Sequence, residues 1–186
     1  HECSSAASDV YKRQIKSLEA IPYKGLFYVG KVLALLLYTL PNKHKRVSKA
    51  NLELVFPHKT SLQINSLLRD SLFHSIMNML EAGLVWGKKD YKKKQGFIDV
   101  ENFSEIKSSL SSDKGVLLFT PHIGNIEIII NFLGQHTDCT IPYTQPKNKD
   151  LDKIITNSRN KSGVKMVDIN VSGIKEMLSA LKNKKL

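Results

Sequence analysis

From residue 97 onward the chain alternates short apolar, β-prone runs with stretches of helical period, and that alternation leaves few folds open to it. Strands are predicted over residues 97–100, 116–120, 140–143 and 164–167, and helices from about Ser104, after Gly124, from about Leu151 and from Ser172. Strand and helix in turn imply an α/β domain, with a mixed sheet flanked by helices on both faces. The last helix is predicted to turn Ile174, Met177, Leu178 and Leu181 inward. The chain then stops at Lys184-Lys185-Leu186, where a βα pattern would continue into another strand. Residues 95–186 are therefore expected to form part of an α/β domain, truncated at the C-terminus.

Residues 15–94 show a different pattern and are expected to be helical and membrane-associated. One helix is predicted through Asn51-Leu52-Glu53-Leu54, ending at Phe56-Pro57. A long one runs from about Ser61 to Trp86 with Leu67, Leu68, Phe73, Ile76 and Leu80 on one face. A basic link, residues 88–94 (KKDYKKK), ends this part. The most apolar stretch of the chain is residues 26–40 (LFYVGKVLALLLYTL), broken only by Gly30 and Lys31. As a helix it rises about 22 Å, short of a hydrocarbon core of ~30 Å, although counting from Ile21 makes the length borderline. It is suited to lie in a membrane more than to cross one. No small-residue cleavage pattern comes after it; Pro41 is succeeded by Lys43, Lys45, Arg46 and Lys49. Apolar residues beside a cationic run favour docking on an anionic leaflet. The competing reading is a buried core helix with a solvated basic flank.

Charge supports this division. The chain carries 28 basic and 17 acidic residues, net +11, of which residues 24–94 hold 13 basic and 4 acidic and residues 95–186 hold 12 and 10. An anionic partner is implied, and charge alone leaves open whether it is lipid, nucleic acid or an acidic protein. At 41% hydrophobic residues the chain is neither disordered nor of low complexity. Two cysteines, Cys3 and Cys139, exclude a disulfide-stapled scaffold and a Cys-based zinc site, and point to a reducing compartment. Residues 1–14 (HECSSAASDVYKRQ) share no pattern with the rest of the chain and are read as a non-native leader.

In open α/β sheets, chemistry gathers where strands end and helices begin. The unit that stands out is residues 115–127 (GVLLFTPHIGNIE), an apolar strand running into His122, a turn at Gly124, Asn125 as N-cap and Glu127 in the first helical turn. His122 and Glu127 would diverge by about 140° on one continuous helix, so they can meet only if a turn intervenes. Gly124 supplies that turn. A carboxylate would then hold Nδ1–H of the imidazole while Nε2 faces a pocket, the arrangement of a general base for an alcohol, and the helix N-terminus beside it favours developing negative charge. The spacing alone is weak, since about half a His-x4-acid pair is expected by chance in a chain of this composition. The context is stronger: His122 alone among the six histidines has an acidic residue five positions on and comes after an apolar strand. A structural histidine beside an ordinary first-turn glutamate is the alternative, and the β-branched run Ile128-Ile129-Ile130 argues for strand over helix.

The block HIGNIE after an apolar strand, the segment NLELVFP after Leu40-Pro41 and a basic stretch, and Tyr143, Pro146, Lys147 and Asn148 together resemble the bacterial lipid A late acyltransferases, of the glycerolipid acyltransferase-like superfamily. The resemblance runs from about Ile21 to Leu186. It implies that His122 and Glu127 are the catalytic pair, that Arg159 sits at a functional arginine position, and that residues 26–40 match a membrane-anchoring helix. This chain has Ile126 where the family usually has Trp, which bears on pocket shape and acyl preference. The family's later Pro-Asp block is absent, which implies that roughly the last third of the expected domain is missing.

The resemblance further implies a reaction. His122 takes the proton from a hydroxyl of a lipid A precursor, the alkoxide attacks the thioester of an acyl-acyl carrier protein, and Arg159 or the amides of Gly124 and Asn125 stabilise the oxyanion. No metal and no cofactor is called for. The expected location is the cytoplasmic face of the bacterial inner membrane. A phospholipid or glycolipid acyltransferase using the same pair is a second reading. A basic membrane- or RNA-binding module without catalysis is a third, though nucleic acid is not the expected partner because only Tyr91 among the lysines of residues 88–94 could stack on a base.

Overall fold

Pro41 and Pro57 divide the N-terminal half into three helices: α1 Tyr23–Thr39, α2 Lys43–Val55 and α3 Ser61–Gly87. The computed structural model describes residues 13, 15, 17, 18, 20–87, 100–112, 114–121 and 123–186. Leu40, before Pro41, is extended at ψ 145°, as the proline ring requires, and α1 ends there. Asn42 holds the corner between α1 and α2. Its Oδ1 accepts from the Lys45 amide at 2.8 Å, capping α2, while its Nδ2 donates to the carbonyls of Leu37 (2.6 Å) and Leu40 (2.9 Å) at the end of α1. The two helices meet at 82°. A reciprocal capping box starts α3: the Thr60 amide donates to Gln63 Oε1 at 2.9 Å and the Gln63 amide to Thr60 Oγ1 at 3.4 Å. The predicted bounds of the long helix hold.

Leu26, Gly30 and Ala34 are the buried residues of α1, a stripe at intervals of four that lies against α3. Gly30 makes the close approach possible, since a Cβ there would stand 2.5 Å from Met77 Sδ. Leu26 packs with Met77, Leu80 and Leu84 as the N-terminal core. Of the face predicted for α3, Leu68 and Leu80 are buried, whereas Leu67, Phe73 and Ile76 are half-buried, because the contact stripe instead runs through Ile64, Leu68, Leu72 and Met77. The other flank of α1 stays apolar and exposed at Tyr28, Val32, Leu35 and Leu36. No residue of α2 is buried. Among the described residues no single helix is long and apolar enough to cross a membrane; α1 and α2 together meet the length and composition, but only as a bent pair.

In the second half, α4 Phe103–Ser111, α5 Ile126–His136, β1 Thr140–Tyr143, α6 Lys149–Ser162, β2 Lys165–Asp168 and α7 Val171–Lys182 come in order. The expected alternation holds only from α5 to α7: the described strands are two, paired in parallel with Thr140 opposite Lys165 and Tyr143 opposite Asp168. The mixed sheet is thus replaced by a small parallel one in a largely helical molecule. Ile128-Ile129-Ile130 is helical: the Asn125 cap and the burial of Glu127, Ile130 and Asn131 on one face outweigh β-branching.

Two expectations fail. Residues 116–120 are extended but form no strand, with Leu117 74% and Phe119 93% exposed; Val116 N–H donates to the Lys185 carbonyl at 3.2 Å, and no ladder extends from that bond among the described residues. The inward face assigned to α7 is also wrong. Ile174 and Leu178 are exposed, Met177 and Leu181 only half-buried, and the one buried residue is Gly173, because the two-stranded sheet covers only the start of the helix. The predicted strand at residues 97–100 lies outside the described residues except for Val100, which is not in a strand, and residues 88–94 lie outside them altogether. Beside β1, Leu186 N–H donates to Asp138 O (3.1 Å) and its carbonyl accepts from Thr140 N–H (2.8 Å), the bonding pattern of a parallel neighbour. Leu133, Cys139 and Leu186 form a second core there.

Candidate active site

Gly124, Asn125 and Glu127 make the turn that leads into α5. Gly124 takes φ +74°, a left-handed conformation that costs other residues about 1 kcal/mol, and so separates the extended segment from the helix. Asn125 is the N-cap, its Oδ1 accepting from the Glu127 amide at 3.0 Å. Glu127 is the second residue of the helix, where the macrodipole favours a carboxylate. His122 lies outside the described residues.

Glu127 is 6% exposed, and a carboxylate buried to that degree needs a partner. Arg159, on α6, provides one. Its Nε donates to Oε2 at 3.2 Å and its Nη2 to Oε1 at 2.5 Å, a two-bond fork between planar groups. The Arg159 side chain is 11% exposed, so it is not the solvated helix residue that its sequence context allows. The guanidinium also lies over the Tyr143 ring at 5.0 Å, and the Tyr143 hydroxyl donates to Asp152 Oδ1 at 2.8 Å. Burial, and next the hydrogen bond to Asp152, push the Tyr143 phenol up to about 12. It therefore remains a protonated donor across the neutral range.

Three helices meet at this cluster. Asn125 Nδ2 donates to the Asn78 carbonyl on α3 at 3.1 Å and faces Glu81 Oε2 at 3.5 Å. From α6, the Ser158 hydroxyl donates to the Val85 carbonyl of α3 at 3.2 Å, and Asn131 of α5 donates to Ser162 at 2.6 Å. Buried polar groups on α3, α5 and α6 thus satisfy one another and fix the position of Glu127. The structure brings four of the five sequence-predicted site residues, Gly124, Asn125, Glu127 and Arg159, into one cluster. Sequence reasoning missed Asp152, Asn78 and Glu81. Only Glu81 carried a signal, an acidic residue in the otherwise apolar run of residues 79–86. Chemically, the cluster offers a buried carboxylate held rigidly at a helix start, with lone pairs beyond those taken by Arg159 to orient another donor. Among the described residues no group of three or more His, Cys, Asp or Glu side chains could hold a metal ion.

Residues 10–186 match the protein family described as bacterial lipid A biosynthesis acyltransferase. The chain is 22% identical over 162 residues to a lipid A biosynthesis palmitoleoyltransferase of Escherichia coli, covering 87% of this chain and 52% of that protein. It is 25% identical over 170 residues to a lipid A biosynthesis acyltransferase of Haemophilus influenzae (90% and 53%), and 23% identical over 162 residues to a lipid A biosynthesis lauroyltransferase of Escherichia coli (87% and 52%). The chain spans about half the length of these curated relatives.

Proposed function

The chain belongs to the bacterial lipid A biosynthesis acyltransferase family, and from that premise we propose that it is a membrane-associated O-acyltransferase, moving a fatty acyl chain from an acyl-acyl carrier protein to a hydroxyl of a lipid A precursor. The observation that carries this reading is the buried Glu127 gripped by Arg159, five residues after His122 in HIGNIE. In the proposed reaction His122 takes the proton of the acceptor hydroxyl as that oxygen attacks the thioester carbonyl. The tetrahedral oxyanion collapses, the carbon–sulfur bond breaks, and the proton passes from His122 to the departing carrier thiolate. Glu127 orients the imidazole and stabilises its cationic form. Arg159 holds Glu127 in place, and the amides at Gly124 and Asn125 are the proposed oxyanion donors.

The N-terminal half supports a place at the membrane surface. The exposed apolar flank of α1 and the basic residues Lys43, Lys45, Arg46 and Lys49 of α2 adjoin at the Asn42 corner, which suits an anionic leaflet with apolar insertion and charge acting together. The proposed location is the cytoplasmic face of the bacterial inner membrane. The surplus of basic residues also suits an acidic carrier protein and a phosphorylated glycolipid.

Membranes from cells expressing a full-length version, supplied with acyl-acyl carrier protein and a lipid A precursor, test the reading by mass spectrometry. Gain of one acyl group, lost in His122→Ala and in Glu127→Ala, is the expected result. Acylation of a glycerophospholipid instead would place the chain with other lipid substrates, and turnover in a folded His122→Ala protein would overturn the mechanism.

A further inference from the structure

Glu81 is half-buried in α3, beside the buried run Ala82, Gly83, Leu84 and Val85, and its bond to Tyr23 lies at the surface. Its two oxygens face different elements. Oε1 accepts from the hydroxyl of Tyr23, the first residue of α1, at 2.8 Å, and Oε2 faces Asn125 Nδ2 at 3.5 Å. That same amide nitrogen donates to the Asn78 carbonyl, while Asn125 Oδ1 caps the Glu127 amide. One end of the Asn125 side chain is thus tied to α3, and the other sets the first turn of the helix that carries Glu127.

We propose that Glu81 is a positioning residue for the transferase site, linking the start of α1 to the N-cap of the Glu127 helix through Tyr23 and Asn125. The proposal rests on the reading of Glu127 and His122 as the catalytic pair. A carboxyl group offers an acceptor on each oxygen, so it suits a place between a phenol and an amide that both donate. A leucine there would keep the bulk and lose both bonds. The Asn125 amide would then be held through Asn78 alone, and a shift of the cap would be inherited by every residue in the first turn of α5. Small displacements of this kind act on the transition state more than on substrate binding.

The experiment compares Glu81→Leu, Glu81→Gln and Tyr23→Phe in a full-length version, reading kcat and KM for acyl transfer, amide exchange at Glu127, and the thermal midpoint. Glu81→Leu is expected to lower kcat about 10- to 100-fold with KM within about twofold, and to speed exchange of the Glu127 amide about tenfold. A glutamine can turn its carbonyl toward Asn125 and donate its NH2 to the tyrosine oxygen, so Glu81→Gln should recover most of both effects, with Tyr23→Phe intermediate. If Glu81→Leu leaves kcat and Glu127 exchange as in the parent, or if Leu and Gln lower kcat equally and in step with the thermal midpoint, the proposal is overturned. A full-length version with no acyl transfer, but with the exchange pattern as expected, would count against the transferase reading and leave the link from Glu81 to the cap standing.

Discussion

Arg159 meets Glu127 edge to edge, Nε to Oε2 at 3.2 Å and Nη2 to Oε1 at 2.5 Å, although the two residues lie on different helices and 32 positions apart. Both side chains are nearly enclosed, so the pair is held by geometry and low local dielectric, little weakened by solvent screening.

Breaking that pair from one side should therefore be expensive. Arg159→Met is expected to destabilise the fold by about 3–5 kcal/mol because it strands a buried carboxylate. The double variant Glu127→Leu with Arg159→Met should regain most of that stability and none of the acyl transfer. Urea midpoints of the two variants check this; a single-variant loss below about 1 kcal/mol would show a pair with the worth of a surface contact.

Tyr143 gives the cluster an alkaline signature. Its phenol is raised from 10.0 in the free side chain to about 12 in the fold. A raised folded value means that its contribution to stability is complete below the unfolded value and is lost as pH climbs through the folded one, here between about pH 10 and 12. Titration of phenolate absorbance should show a late-ionising component, and Tyr143→Phe should reduce its amplitude.

Cys139 is a buried free thiol whose burial raises it to about 11. In a Cys3→Ser background, thiol reagents at neutral pH should leave the native chain unlabelled and label it once unfolded. Fast labelling of the native form would mean that the second core opens readily around Leu133 and Leu186.

The α1 flank offers a test of membrane docking that leaves the core alone. Val32→Glu and Leu35→Glu lie on the exposed side and should weaken binding to anionic vesicles with little change in thermal midpoint. Reversing the charge of Lys43 and Arg46 should add a salt-sensitive loss of about 1 kcal/mol per residue. Sedimentation with vesicles of phosphatidylglycerol and phosphatidylethanolamine measures both; binding unaffected by all four changes would remove this face from the proposal.

Local punctuation explains which elements are legible in the sequence. Asn125, Asn148 and Asn170 cap helices through their own side chains, Pro41 and Pro57 stop them through ring sterics, and such signals need no tertiary context. The Val116 segment misleads because its apolar run gives strand propensity without a strand partner among the described residues, and pairing is a non-local fact. The α7 face fails for a similar reason: its period is right, yet burial depends on how far a sheet extends beneath it. Arg159 becomes a candidate only through family resemblance, because no spacing rule connects it to Glu127. Glu81 escapes notice since a single acidic residue in a helix reads as solvated until the tyrosine and asparagine that face it are known.

The Asn42 corner has a mechanical side. One amide is bonded to the last turn of α1 and to the first of α2, so a change of angle between the two helices has to stretch or break one of these bonds. While those bonds hold, a tilt of α1 is expected to carry α2 with it. A surface that took up the outer flank of α1 would thereby set the height at which the cationic row of α2 hovers above it, so the depth of engagement and the number of charges within reach become a single variable, governed by an asparagine that need touch no lipid itself.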